Sequence, residues 1–256
     1  MEYEIFLYFL LCIVALIAGF TDTLAGGGGL ITLPALMLTG LNPVAALGTN
    51  KLQSAVAELS AILSFRKNKD INYKLLIKAI IWTIVGATIG TILLQLVYIR
   101  ILEIIIPFLL TAVFIYYLFT KKLQTNNVNN KLEPDNKKFF LLGNTIGFYN
   151  GFFGPATGSI WAIALMKNFS LNLRTATMYA KPLNLAGNLS ALSIFIVGGN
   201  IDYIAAILMC IGSFIGGKLG AKFILYKDSQ YIKIAFISIM LLSIVALYAK
   251  NIFRLI

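Results

Sequence analysis

The sequence predicts an all-α polytopic membrane protein built from two tandem repeats in inverted orientation. Each repeat holds a glycine-rich re-entrant or broken helical hairpin and three full transmembrane helices. Three observations carry this prediction. Hydrophobic residues fill 59% of the 256 positions and charged residues only 12%, with a mean hydropathy of +0.86, far from the balance of a soluble domain. Glycine-rich stretches interrupt apolar runs at 26–29 and at 154–158, and irregular backbone at membrane depth survives only inside protein or beside a wet cavity. The landmarks of the first half also return in order in the second.

Apolar runs lie at 5–24, 28–41, 44–65, 74–98, 101–120, 138–153, 156–166, 173–198, 203–225 and 231–249. A span needs about 20 apolar residues, so 28–41, 138–153 and 156–166 are too short to cross alone, and all three flank the glycine breaks. Glu2 and Glu4 stand where a secretory signal carries lysine, so the first run is expected to be retained. Residues 121–137, with Gln-Thr-Asn-Asn-Val-Asn-Asn and Glu-Pro-Asp, read as a polar cytoplasmic linker between a first repeat at 1–120 and a second at 138–256.

The repetition is specific. Gly19-Phe20-Thr21-Asp22 returns as Gly147-Phe148-Tyr149-Asn150, Lys51 as Lys181, Ile71-Asn72-Tyr73 as Ile201-Asp202-Tyr203, and Gly86 with Gly90 as Gly212 with Gly216. Corresponding loops differ in charge. Arg66, Lys67, Lys69, Lys74 and Lys78 crowd one loop, whereas its partner, Gly198-Gly199-Asn200-Ile201-Asp202, has no cation. The positive-inside rule puts the first in the cytoplasm and the second outside, which favours inverted over parallel repeats. Lys121, Lys122, Lys131, Lys137, Lys138, Lys167, Arg174 and Lys222 then fall inside, and both termini outside, with Lys250 and Arg254 as exceptions. The two hairpins, one with Asp22 and one with Asn150, enter from opposite sides so that their tips approach each other, the arrangement that marks a transporter binding site.

Several functions are disfavoured by composition. The net charge of +11 comes mostly from lysines between apolar runs, as topology determinants do, so nucleic acid is not the expected partner. There is no histidine, and Cys12 and Cys210 lack metal-ligand spacing, so neither a metal nor another cofactor is expected. No paired acids or cofactor motif suggest an enzyme.

The residues that carry chemistry lie inside the runs. Lys51 and Lys181 sit about 10 Å into their spans at 1.5 Å per residue, and an intramembrane lysine is costly enough to suggest function. Thr49, Asn50 and Gln53 surround the first, while Asn184 and Asn188 follow the second at i+3 and i+7, on one helix face. Cations and amides near exposed backbone at Gly27, Gly28 and Thr157 suit a small anion. Asp22 and Glu58 are the acids well inside apolar runs. Either binds a coupling proton or sodium ion, or neutralises Lys51, from which Glu58 is two turns away.

Ala25-Gly26-Gly27-Gly28-Gly29 with Pro34, Gly48-Thr49-Asn50-Lys51-Leu52-Gln53, and Lys181-Pro182-Leu183-Asn184 with Gly187-Asn188 make the chain resemble the sulfite exporter TauE/SafE family of membrane transporters. The resemblance covers nearly the whole chain. It implies movement of small sulfur-containing anions, such as sulfite or organosulfonates, across the cytoplasmic membrane. The second tip, Gly154-Pro155-Ala156-Thr157-Gly158, departs from the glycine-rich form. The expectation is therefore a multi-pass carrier of the cell membrane, with the lipid bilayer and a small anion as partners and self-association left open. The alternative is an anion-selective channel with the two lysines as selectivity residues.

Overall fold

A computed structural model describes residues 2–66, 71–102 and 132–226, and between the last two segments the isolated positions 105, 108, 109, 111, 112 and 115. The described elements are α1 (Glu2–Ala25), α2 (Gly29–Leu38), α3 (Pro43–Phe65), a 3-10 turn (Tyr73–Leu76) leading into α4 (Ile77–Gln95), α5 (Asn136–Phe152), α6 (Thr157–Phe169), α7 (Leu173–Val197) and α8 (Tyr203–Tyr226). The third span expected in each half, at 101–120 and 231–249, lies mostly or wholly outside the described residues. So does the linker as far as 131.

Among the described residues, four segments are long and apolar enough to cross a membrane, within α1, Tyr73–Gln95, α7 and α8. At 1.5 Å per residue the 18-residue segment within α1 covers about 27 Å and the other three about 35 Å each. The 23 residues of α3 match them in length, but its polar positions lower its hydropathy. The glycine breaks part α1 from the 10-residue α2, and the 17-residue α5 from the 13-residue α6. The first break thus follows a helix of 24 residues, long enough to span by itself.

Helix starts are set by side chains that accept from otherwise orphaned amides. Asn42 accepts from the Ala45 amide at 2.9 Å ahead of α3, and Asn172 accepts from that of Thr175 at 2.8 Å ahead of α7. Asn72 and Asp202 do the same for Lys74 and Ala205. Their own amides also find matching partners: Asn72 donates to the Tyr179 hydroxyl at 3.2 Å and Asp202 to that of Thr49 at 2.9 Å.

Small residues decide which helices meet. Gly212, Gly216 and Gly220 of α8 lie so close to the carbonyls of Cys12, Leu16 and Phe20 that a Cβ would overlap them. Because both numbers rise by four together, α1 and α8 run in the same direction. In the second contact, Gly86 and Gly90 of α4 meet Asn144 and Phe148, while Gly147 and Gly151 of α5 meet Thr83 and Ala87, so α4 and α5 also run together. Helices α3 and α7 run in opposite directions, with Gly48 against Phe195 and Asn200, Lys51 beside Asn188, and Glu58 beside Asn184. Each half thus packs its first helix against the fourth described helix of the other, at the close approach that small residues allow in lipid.

The outward faces are apolar, including Ile77, Ile81 and Ile89 on α4 and Ile204, Ile207 and Ile211 on α8. The inward faces of α3 and α7 carry the polar residues. This reversal of the soluble pattern suits a bilayer as solvent.

Replacing Gly216 with leucine should therefore destabilise the protein by about 1–3 kcal/mol or more, because the backbone at Leu16 cannot yield. Ile215→Val on the exposed face should be nearly silent. Thermal unfolding of the two detergent-solubilised variants would separate these effects.

Candidate functional site

The two glycine breaks touch. Gly26, in the left-handed region with φ +69°, has its backbone against Gly158 and Ser159, and Gly29 faces Pro155. Across the contact, Gly154 adopts φ +99° and Ala156 φ +61°, which costs alanine about 1–2 kcal/mol. The two lysines reach carbonyls near the ends of α1 and α5: that of Asn150 has no further turn to bond to, while that of Asp22 also accepts from the Gly26 amide at 2.6 Å.

Lys51, from α3, is 1% exposed and donates to the Asn150 carbonyl at 2.5 Å, the Asn150 Oδ1 at 2.7 Å and the Asn188 Oδ1 at 3.2 Å. Lys181, from α7, is equally buried and donates to the Asp22 carbonyl and, at 3.2 Å, to the Asp22 carboxylate. Each lysine therefore caps the C-terminal end of the first helix of the opposite half. A cation there meets the negative end of the helix dipole as well as the acceptors. The other Asp22 oxygen accepts from the Gly28 amide at 3.2 Å, beside the start of α2, where a negative charge is favoured.

Lys51 belongs to a closed ring. Asn150 Nδ2 donates to Asn184 Oδ1 at 2.8 Å, Asn184 Nδ2 donates to Glu58, and Asn188 Nδ2 donates to the second Glu58 oxygen at 3.1 Å. The ring joins α3, α5 and α7. Its members are spaced for it: Asn184 and Asn188 stand one and two turns beyond Lys181 on the same face, and Glu58 stands two turns beyond Lys51.

A neighbouring network holds Asn50 and Gln53. Asn50 Oδ1 accepts from Thr32 at 2.5 Å and from Gln53 Nε2 at 2.8 Å; Gln53 also donates to Ser54 and accepts from Ser213 of α8. Thr157 donates to the Gly154 carbonyl at 2.5 Å within the second break. Gly27 is buried beside Gly28, at the start of α2.

The structure thus joins Lys51, Glu58, Asn184 and Asn188 in the ring, and Lys181, Asp22 and Gly28 in the ion-paired cluster. Thr49 lies apart, with its hydroxyl occupied by the Asp202 amide. The contacts separate both acids from Lys51: the Glu58 oxygens are taken by the two asparagines while Lys51 reaches across to α5, and Asp22 pairs with Lys181. Asn150, which the sequence aligns with Asp22, is the junction of the ring. That alignment with Asp22, beside a buried lysine in each half, was the signal that could have found it.

Comparison with known proteins gives a consistent result. The family model for sulfite exporter TauE/SafE matches residues 11–247. A "Probable membrane transporter protein" of Haemophilus influenzae is 39% identical over 237 residues, 91% of each chain. YfcA of Escherichia coli K12, described in the same words, is 38% identical over 86% of this chain and 81% of its own. YjnA of Bacillus subtilis is 26% identical over 77% of this chain and 81% of its own. No solved structure matches.

Lys181→Met should cost about 3–5 kcal/mol, because it leaves the Asp22 carboxylate buried without its cation. Adding Asp22→Asn should recover much of that loss. A double-mutant cycle on thermal or denaturant unfolding would measure the coupling, and additive losses would mean that the pair contributes nothing specific.

Proposed function

The chain belongs to the sulfite exporter TauE/SafE family, and on that premise we propose that it is a secondary transporter that moves a small sulfur oxyanion or organosulfonate, with sulfite the first candidate, across the cytoplasmic membrane by alternating access. The observation that carries this reading is the placement of Lys51 and Lys181, each 1% exposed and each bonded to the first helix of the opposite half. Two ammonium groups at the seam between two bundles provide charge for one small anion. Asn184, Asn188, Asn50 and Gln53 add amide groups around them, and the tips at Gly27, Gly28 and Thr157 close the site.

The organisation proposed is two inverted repeats, 1–120 and 138–256, joined by a cytoplasmic linker, with both termini outside. The antiparallel course of α3 and α7, which carry the matching lysines, supports inversion. So does the exchange of contacts: Thr49 meets Asp202 while Tyr179 meets Asn72, the reciprocity of a twofold relation. Alternating access then comes from one repeat moving against the other. Burial of both ammonium groups favours a carrier over a channel, since an anion reaches them only after the Lys51–Asn150 and Lys181–Asp22 contacts open. Asp22 and Glu58 are the candidates for binding a coupling proton or sodium ion.

Proteoliposomes test the reading. Lys51→Met and Lys181→Met, correctly inserted, should each lower sulfite uptake by about ten- to a hundredfold, the loss of one charge-assisted hydrogen bond of 1.5–3 kcal/mol. Two variants moving sulfite at the wild-type rate would sink the two-lysine site. Preloaded sulfite should accelerate entry of labelled sulfite in a carrier, whereas a channel shows no such counterflow.

Topology has its own check. In a background without Cys12 and Cys210, Lys74→Cys should react with a membrane-impermeant thiol reagent only from the cytoplasmic side and Asn200→Cys only from outside. Labelling of both from one side would refute the inversion.

A further inference from the structure

We propose that a proton travels with the anion on the Glu58 carboxylate, and that the side-chain amide of Asn188 links its arrival to the release of Lys51; this deepens the anion-carrier reading and rests on it. Glu58 is fully buried. Its oxygens accept from the neutral amides of Asn184 and Asn188, and among the described residues no cation lies within ion-pair distance of it. Asp22, by contrast, already has Lys181 and the Gly28 amide. Of the two buried acids, Glu58 is the one whose charge is left without a counter-ion in contact.

The direction of the hydrogen bonds supplies the coupling. Two chains of donors start at the Lys51 ammonium, one through Asn150 and Asn184, the other through Asn188 alone, and both end at Glu58. A carboxylate only accepts, so both chains terminate correctly while it is ionised. When a hydronium ion gives its proton to the Glu58 oxygen that faces Asn188, one O–H bond of hydronium breaks, an O–H bond forms on Glu58, water leaves and that oxygen becomes a donor. Asn188 can then accept only by turning its amide over. The turn swings Nδ2 towards Lys51 in place of Oδ1, and the ammonium loses an acceptor. One of its N–H groups is freed for an oxygen of the substrate. Release of the proton from Glu58 on the far side reverses the turn and returns Lys51 to Asn188, which displaces the anion.

Charge balance points the same way. Among the described residues the four buried charges, Lys51, Lys181, Asp22 and Glu58, formally cancel. An anion entering alone leaves an uncompensated negative charge in a medium that solvates it poorly, and a proton on Glu58 removes it. The groups around Glu58 are Lys51 on its own helix, Lys181 on α7 and Asp22 on α1. Helix α2 has no titratable side chain, and α8 turns Ser213 and Gly217 to α3 while its Lys218 and Lys222 are exposed. Helix α5 contributes Asn150 to the ring, and its Tyr149 hydroxyl is given to the Pro155 carbonyl.

Infrared difference spectra of the lipid-reconstituted protein across a pH step read the proton site without any substrate. A carbonyl band of a protonated carboxylic acid should appear on acidification, vanish in Glu58→Gln and persist in Asp22→Asn. Glu58→Asp, which keeps the carboxyl, should shift the band's frequency, so the assignment survives even if the glutamine variant does not fold. In vesicles holding a pH-sensitive dye, methanesulfonate, a monoanion throughout the working range, should enter wild-type vesicles with about one proton each, and that ratio should fall at least about tenfold in Glu58→Gln. A band or a proton-to-anion ratio that is unchanged in Glu58→Gln overturns the proposal. A Glu58 band in a protein that moves neither methanesulfonate nor sulfite overturns the anion-carrier reading and leaves the proton site standing.

Discussion

A buried ammonium group must be surrounded by oxygens, and much of the described architecture follows from that constraint. Lys51 and Lys181 are each about two turns inside a helix, where water does not compete and an unsatisfied charge would cost several kcal/mol. The side chains on their own helices cannot meet the whole demand. The remaining acceptors come from carbonyls near the C-terminal ends of α1 and α5, that of Asn150 left over by its helix and that of Asp22 shared with the Gly26 amide. A lysine seeking oxygen and a helix end seeking a donor satisfy each other across the two halves.

That exchange requires close contact between segments far apart in sequence, and the glycines make it sterically feasible. With Gly212, Gly216 and Gly220 along α8, and Gly86, Gly90, Gly147 and Gly151 at the α4–α5 seam, backbones approach without side chains between them. In a bilayer the apolar exteriors gain nothing by pairing with one another, so shape and polar contacts choose the partners. The result holds the halves together through polar bonds at the centre and small residues at the flanks.

The acids differ from one another for the same reason. Asp22 sits where Asn150 sits in the other half, and Glu58 aligns with Asn188, so both acids fall in the first half and both amides in the second. One acid lies against a lysine and a helix start; the other lies against amides only. Sequence spacing alone pairs Lys51 with Glu58 because they share a helix face. Two turns along one face is still about 10 Å of rise, and the space between is filled by asparagines from α7 and α5.

Much was legible from the chain alone, because it depends on local chemistry. Apolar run lengths identify the long helices, the glycine clusters identify the breaks, and the recurrence of Lys51 at Lys181 marks the candidate site. These signals depend on residue type and near neighbours, so they survive without coordinates. What only the tertiary structure decided is which partner each polar group takes. Thr49 turns to the Asp202 amide, Asn150 closes the ring, and Asp22 pairs with Lys181, contacts between residues roughly a hundred or more positions apart. No periodicity records them, because a hydrogen bond is chosen by distance and direction in space, and those are set only when the helices have packed.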